Sequence, residues 1–207
     1  MQKLTMSNCE KFLKNGDLTK PFLDDDYVNE KVMTDFNAKK KVNKNYTKIE
    51  SLYHWINHNV KYAKGENDFI ARNKFQRNAK EIWESKKATG CTDYALVFST
   101  FARQIGIATT LLHTAEYNWC LRLKNGGDYK VHYGHSFCEC FYQGKWILVD
   151  PTCRKIEFEY NPEKIELTYT VGENSIFIPY FRGLDLGSRQ SVKEHNDLME
   201  KCCLSLL

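Results

Sequence analysis

Several features that mark whole classes of protein are missing from this 207-residue sequence. No apolar run approaches the roughly 20 residues that a membrane-spanning helix requires, so we expect no membrane segment. The first five residues lack the apolar stretch of a secretory signal, which predicts a cytoplasmic protein for the chain as given. There is no internal repeat, low-complexity tract or proline-rich linker to divide the sequence into separate domains.

Charge and cysteine spacing exclude further classes. A net charge of +4 is too small and dispersed to predict nucleic acid or a membrane as a partner. The eight cysteines are irregularly spaced and predict reduced thiols rather than a disulfide framework. His54 and His58 lack a third ligand, and a zinc site built from Cys138, Cys140 and Cys153 lacks the usual CxxC pair. We therefore expect no metal and no cofactor, and the sequence leaves the oligomeric state open.

The pattern that begins at Gly90 is typical of a reactive cysteine. Apolar residues recur behind Cys91 at steps of three and four, which predicts a helix with one face in the core. A thiol at a helix N-terminus meets unpaired N–H groups and the positive end of the helix dipole, and both favour its thiolate. Cys91 is therefore the candidate nucleophile, and its backbone N–H is the candidate oxyanion donor.

A predicted hairpin supplies two more candidates. Residues 135–142 and 145–150 have strand-like patterns and flank the turn pair Gln143-Gly144. Because side chains alternate between faces along a strand, this loop length places His135 and Asp150 on one face as diagonal neighbours. A thiol nucleophile needs an imidazole that accepts its proton and a carboxylate that orients the imidazole. Cys91, His135 and Asp150 can fill these three roles.

The remaining segments predict a single domain. We expect residues 1–46 to form a helical covering segment, 47–153 the core, and 154–207 further strands and a helix of the same domain. Capping boxes predict helices that start at Thr47, Asn78 and Ser191. The other expectations are a strand over 107–114, a loop over 65–73, hairpin arms or a long loop around a turn at 125–128, and strands at 155–160, 165–171 and 175–178.

The motifs resemble the transglutaminase-like core domain. The resemblance is carried by Gly-Cys-Thr-Asp-Tyr-Ala at 90–95, Gly134-His135, and Val-Asp-Pro-Thr at 149–152, with a similar segment at 59–62. It implies a papain-like α+β fold, with helices packed on an antiparallel sheet and the catalytic cysteine at a helix N-terminus. It also implies acyl transfer in which Cys91 is the nucleophile, His135 is base and then acid, and Asp150 orients the imidazole.

Further residues are expected to bind the oxyanion or the substrate, and the resemblance implies such a role for Tyr62. Tyr62 corresponds to an aromatic residue near the site and is a candidate second oxyanion donor, for which Trp55 is the rival. The expected groove residues are Trp119, Tyr133, Gly134 and Phe137. Phe137 stands where the family often has tryptophan.

The function expected from these features is a thiol-dependent hydrolase, a peptidase or amidase that acts on a peptide or protein substrate. Two alternatives stay open. One is a protein-glutamine transglutaminase, in which an amine replaces water as the acceptor. The other is a catalytically silent module of the same fold that binds peptides in its groove.

Overall fold

A computed structural model of the chain describes residues 47–127, 131–162, 167–171, 173–183 and 191–206. The expected covering segment over residues 1–46 lies outside these ranges. The described helices are α1 (Lys48–Asn59), α2 (Asn67–Asn73), α3 (Ala79–Ser85), α4 (Cys91–Gln104), α5 (Tyr117–Lys124) and α6 (Val192–Leu206). The described strands are β1 (Lys61–Tyr62), β2 (Lys87–Ala88), β3 (Ala108–Glu116), β4 (Gly134–Tyr142), β5 (Lys145–Asp150), β6 (Lys155–Glu157), β7 (Leu167–Val171) and β8 (Glu173–Gly183).

The architecture is α+β. Within the described residues, six strands form an antiparallel sheet in the order β6-β5-β4-β3-β8-β7, and β1 pairs with β2 in a small parallel sheet. Helix α4 packs on one face of the large sheet, where its residues Ala95 and Phe98 share a core cluster with Leu111, Cys138 and Val149. The expected fold class is confirmed.

Capping boxes begin three of the helices, as predicted. Thr47 and Glu50 exchange side-chain to backbone hydrogen bonds at the start of α1, and Asn78 and Glu81 do so at the start of α3. At the start of α6, Ser191 N–H donates to the Glu194 carboxylate at 2.7 Å. Each box satisfies backbone donors that the first helical turn leaves without partners.

The predicted hairpin is confirmed in its register. Tyr142 lies opposite Lys145, and Cys138 opposite Val149. Gln143 and Gly144 both have positive φ angles, 53° and 78°, as expected for the two-residue turn that matches the twist of antiparallel strands. Side chains of β4 and β5 therefore alternate between the α4 core and the opposite face of the sheet.

The loop predicted over residues 65–73 is wrong, because residues 67–73 form α2. This helix buries none of its residues, so it has no apolar periodicity for a sequence pattern to detect. Cation–π contacts hold it instead: the Phe69 ring centroid lies 5.0 Å from the Arg77 guanidinium and 5.2 Å from the Lys87 ammonium.

The hairpin arms or long loop expected around residues 125–128 are also wrong, because residues 117–124 form α5. The Glu116 carboxylate caps this helix by accepting hydrogen bonds from the backbone N–H groups of Asn118 and Trp119. A turn does follow residue 124, as the sequence predicted, but it ends a helix and does not join two strands. Gly126 has a φ of 70° and its N–H donates to Leu123 O. Glycine in this conformation is a common helix C-terminal stop.

Helix α6 packs beside α5 and β8. Trp119, Tyr180, Met199 and Cys203 belong to one buried cluster there. Among the described residues, no helix has the length and apolar character needed to cross a bilayer.

Candidate active site

Cys91 is the first residue of α4, and a bonded turn holds it there. Gly90 precedes it in an extended conformation, and a side chain at Gly90 would enter open space. Two residues into the helix, the buried Asp93 carboxylate accepts hydrogen bonds from Thr89 N at 2.7 Å and Thr89 Oγ1 at 2.9 Å. Arg77 completes the anchor with a 2.6 Å ion pair to the same oxygen. The segment that enters the helix is therefore fixed on both sides of the thiol.

His135 and Asp150 meet across the hairpin. The distance from His135 Nε2 to Asp150 Oδ2 is 2.7 Å, and the Asp150 side chain is 1% exposed. The other carboxylate oxygen, Oδ1, accepts from the backbone N–H groups of Thr152 at 2.8 Å and Cys153 at 2.9 Å. These two backbone donors fix the orientation of the carboxylate. With Nε2 directed at Asp150, Nδ1 of the imidazole is the nitrogen left for the thiol.

The electrostatics favour an ionised Cys91. Burial acts to raise the pKa of its thiol, but the hydrogen bond and charge of His135, together with a hydrogen bond from Ser136, place it below the ordinary value. Burial acts to lower the pKa of His135, but hydrogen bonds with Asp150, Cys153 and Cys91 raise it well above the ordinary value. Opposite shifts in a contacting pair favour a thiolate beside an imidazolium.

A cavity of about 310 Å³ opens beside the thiol, a volume near the lower end for small-ligand sites. Residues of α6, Met199 among them, line it together with Gly134 on β4. A Cβ at Gly134 would lie 2.9 Å from both Met199 Sδ and Thr114 O. Glycine at this position therefore lets α6 pack directly against the strand that carries His135.

Sequence reasoning missed a second hydrogen-bond chain to Cys91. Its Sγ lies 3.8 Å from Ser136 Oγ, which lies 2.9 Å from His113 Nδ1 and 3.0 Å from Thr92 Oγ1. Burial, followed by the charge of His195, lowers the pKa of His113 to about 3, so this imidazole is neutral at physiological pH. The adjacency of Ser136 to His135 was the available signal, but nothing local indicated His113, 23 residues earlier in the chain.

We expect Ser136→Ala to raise the pKa of the Cys91 thiol by about one unit. A hydrogen bond to a charged group contributes roughly 1.5–3 kcal/mol, and one pKa unit corresponds to about 1.4 kcal/mol. The neutral thiol donates to Ser136 Oγ, whereas the thiolate accepts from it, and the bond to the charged sulfur is the stronger of the two. Losing the hydroxyl therefore destabilises the thiolate more than the thiol. The midpoint of Cys91 alkylation by iodoacetamide should therefore move up by about one pH unit, as measured by peptide mapping across a pH series, and the rate at high pH should match wild type.

Ser99→Ala is the matched control. Ser99 lies on α4, the helix that carries Cys91, and its buried hydroxyl donates to Leu96 O instead of contacting the thiol. Ser99→Ala should leave the alkylation midpoint unchanged. An unchanged midpoint in Ser136→Ala would show that the serine does not stabilise the thiolate.

The two expected side-chain oxyanion donors do not line the cavity. Tyr62 is 52% exposed and belongs to β1, whose partner strand β2 leads towards Cys91. Trp55 is buried in the core, with its ring centroid 4.6 Å from that of Trp83 and 5.3 Å from that of Phe101. A role for either residue stays a prediction.

Only some of the expected groove residues are accessible at the cavity, and the others are buried behind its histidines. Gly134 lines the cavity, and Tyr133 beside it is 56% exposed. Trp119 and Phe137 are fully buried. Trp119 packs behind His132, with ring centroids 5.4 Å apart. Phe137 contacts the His135 ring edge-to-face at 4.7 Å, so the structure places it as a support for the imidazole.

Donor atoms suited to a metal also converge here. One ligand atom each from His135, Asp150 and Cys153 lies within 4.8 Å of the other two. Cys138 and Cys140, the partners considered for Cys153 from the sequence, belong instead to the core cluster beneath α4.

Comparisons with known proteins give one family match and a similar solved structure. No curated protein matches the sequence significantly. A solved structure of a "putative cysteine protease" from Cytophaga hutchinsonii is similar, with 16% identity and a TM-score of 0.49; the alignment covers 92% of this chain and 50% of the other. This chain thus spans about half the length of that protein. The model of the transglutaminase-like superfamily matches residues 33–151, more than half of the chain. The chain therefore belongs to the transglutaminase-like superfamily, which supports a cysteine-dependent enzyme in general.

Proposed function

We propose that the protein is a thiol-dependent acyl-transfer enzyme, and specifically a hydrolase of peptide-like amides. The observation that carries this proposal is the arrangement around Cys91. Its thiol stands at the N-terminus of α4 with a lowered pKa, and the imidazole that lowers it is bonded to a buried, oriented carboxylate. A structural cysteine needs none of these features.

In the first half of the reaction, the Cys91 thiolate attacks the amide carbonyl carbon and a C–S bond forms. The carbonyl oxygen takes the negative charge and accepts a hydrogen bond from the Cys91 N–H, which the first turn of α4 leaves without an intrahelical partner. One such donor typically contributes about 10²–10³-fold. The C–N bond then breaks, and the His135 imidazolium gives its proton to the departing amine.

In the second half, water opens the thioester. The neutral His135 imidazole takes a proton from the water as it attacks, a step for which a general base contributes about 10²–10⁴-fold. The C–S bond breaks, the acyl group leaves as a carboxylic acid, and the thiolate–imidazolium pair returns. Asp150 holds the ring in the tautomer that both halves need.

The test is a proteome-derived peptide library incubated with the protein in ¹⁸O-water, with and without an added primary amine. A hydrolase produces new carboxylates that carry ¹⁸O, and Cys91→Ala produces none. Incorporation of the amine without new carboxylates would identify a transglutaminase instead. No product in either arm, from a protein whose Cys91 is alkylated readily, would indicate a binding module.

A further inference from the structure

The donor set beside the proposed catalytic pair matches the preferences of zinc. Zinc in proteins takes imidazole nitrogen, thiolate sulfur and carboxylate oxygen at about 2.0–2.3 Å in tetrahedral geometry, which places the donors roughly 3.3–3.8 Å apart. The ligand atoms of His135, Asp150 and Cys153 lie within 4.8 Å of one another. A His135 Nε2 to Asp150 Oδ2 distance of 2.7 Å needs to widen by roughly 1 Å at most for both atoms to bind one ion.

Hydrogen bonds to neighbouring groups already orient two of the three candidate ligands, Asp150 and His135. Asp150 Oδ1 is held by the backbone N–H groups of Thr152 and Cys153, which leaves Oδ2 directed towards His135. On the other side of the ring, His135 interacts with Cys91, so when the imidazolium loses its Nε2 proton to a metal, the proton that remains on Nδ1 keeps the thiolate as its partner. Oriented donors of this kind commonly raise metal affinity about 10–100-fold.

The three donor residues are buried or half-buried, which favours the binding of an ion between them. The Asp150 side chain is 1% exposed and that of His135 is 12% exposed. Cys153 is half-buried and packs at the edge of a cluster that contains Phe137 and Leu148, so the donor set lies near the surface of the protein. Electrostatic attraction between a dication and two anionic donors is strongest where water is largely excluded.

We propose that His135, Asp150 and Cys153 form an inhibitory zinc site. On binding, the ion takes the lone pair of His135 Nε2 and the sulfur of Cys153, and both groups release their protons to solvent. The Asp150 carboxylate contributes a charge that it already carries. The fourth position holds water.

Zinc at this position stops proton transfer without touching Cys91. The metal-bound imidazole is neutral and keeps its Nδ1 proton more firmly than an imidazolium does, so it fails to protonate the departing amine. The inhibitory consequence rests on the proposed function, whereas the binding of zinc does not.

Binding is tested first, by competition for zinc against a chromophoric chelator in a Cys91→Ser background. Adding Cys153→Ser should remove one zinc equivalent or weaken its affinity at least about tenfold. Adding Cys202→Ser, a change at another half-buried cysteine, should leave that equivalent in place. Cobalt should give a thiolate charge-transfer band that Cys153→Ser removes. Unchanged zinc binding in the Cys153→Ser variant overturns the proposal, as does loss of the equivalent through Cys91→Ser alone.

Inhibition is tested second, as the ratio of amide hydrolysis with and without zinc within each variant. Zinc should inhibit the wild-type chain reversibly, and Cys153→Ser should need at least about tenfold more zinc for the same inhibition. Equal sensitivity of the two proteins overturns the proposal. If no amide is hydrolysed by any variant, the proposed function fails, and the zinc stoichiometry still decides the site.

Discussion

Asp150→Asn should lower turnover about 10³–10⁴-fold and leave the fold intact. The reason lies in the two oxygens of the carboxylate. Oδ1 accepts hydrogen bonds from the backbone N–H groups of Thr152 and Cys153, so the single amide oxygen of asparagine must take that position. The amide NH₂ then faces His135 Nε2 and donates to it. This selects the tautomer with the proton on Nδ1, in which the imidazole offers Cys91 no lone pair.

The measurement is kcat for the best peptide from the library, beside the melting temperature. Asp93→Asn is the matched control, because Asp93 is also a buried carboxylate and has an ion pair to Arg77. Asp93 anchors the turn before Cys91, whereas Asp150 orients the imidazole of His135. Asp93→Asn should lower stability more than turnover. Wild-type turnover in a folded Asp150→Asn protein would remove Asp150 from the mechanism.

The parts of the site that sequence could predict follow from local periodicity. The alternation of a strand and the length of one turn were enough to place His135 and Asp150 on the same face of β4 and β5, because register propagates from the turn. The position of Cys91 followed from an apolar stripe and a glycine. None of these inferences needed to know which distant segment packs against the hairpin.

The cavity wall could not be predicted in the same way. Met199 and His195 of α6 line it with Gly134, about 60 residues before them in the sequence, and no local pattern specifies such a contact. Trp119 was predicted to line the substrate groove. Trp119 lies on α5 and is buried in a cluster with Met199 and Cys203. The sequence did not predict α5, because the glycine-rich turn that ends this helix was interpreted as part of a hairpin or loop.

His135→Ala should lower the rate of Cys91 alkylation at pH 6.5, by a factor that approaches about 100-fold the more fully the wild-type thiol is ionised at that pH. In the wild-type chain, His135 holds the pKa of this thiol below its ordinary value against the effect of burial. Without the imidazole, burial dominates and the pKa rises above the value of about 8.5 for a free cysteine. Less than roughly 1% of the thiol is then ionised at pH 6.5, and only the thiolate reacts. The difference from wild type should narrow as the pH rises past 9.

The measurement is the second-order rate constant for iodoacetamide at Cys91, followed by peptide mapping from pH 5 to 10. His132→Gln is the matched control, since His132 lines the same cavity but pairs with Glu200; its profile should follow wild type. His135→Gln, which preserves more of the side-chain volume, guards against misfolding, and near-ultraviolet circular dichroism of the Trp55–Trp83 pair reports on the core. A folded His135 variant that still reacts rapidly at pH 6.5 would mean that the helix N-terminus, and not the imidazole, ionises the thiol.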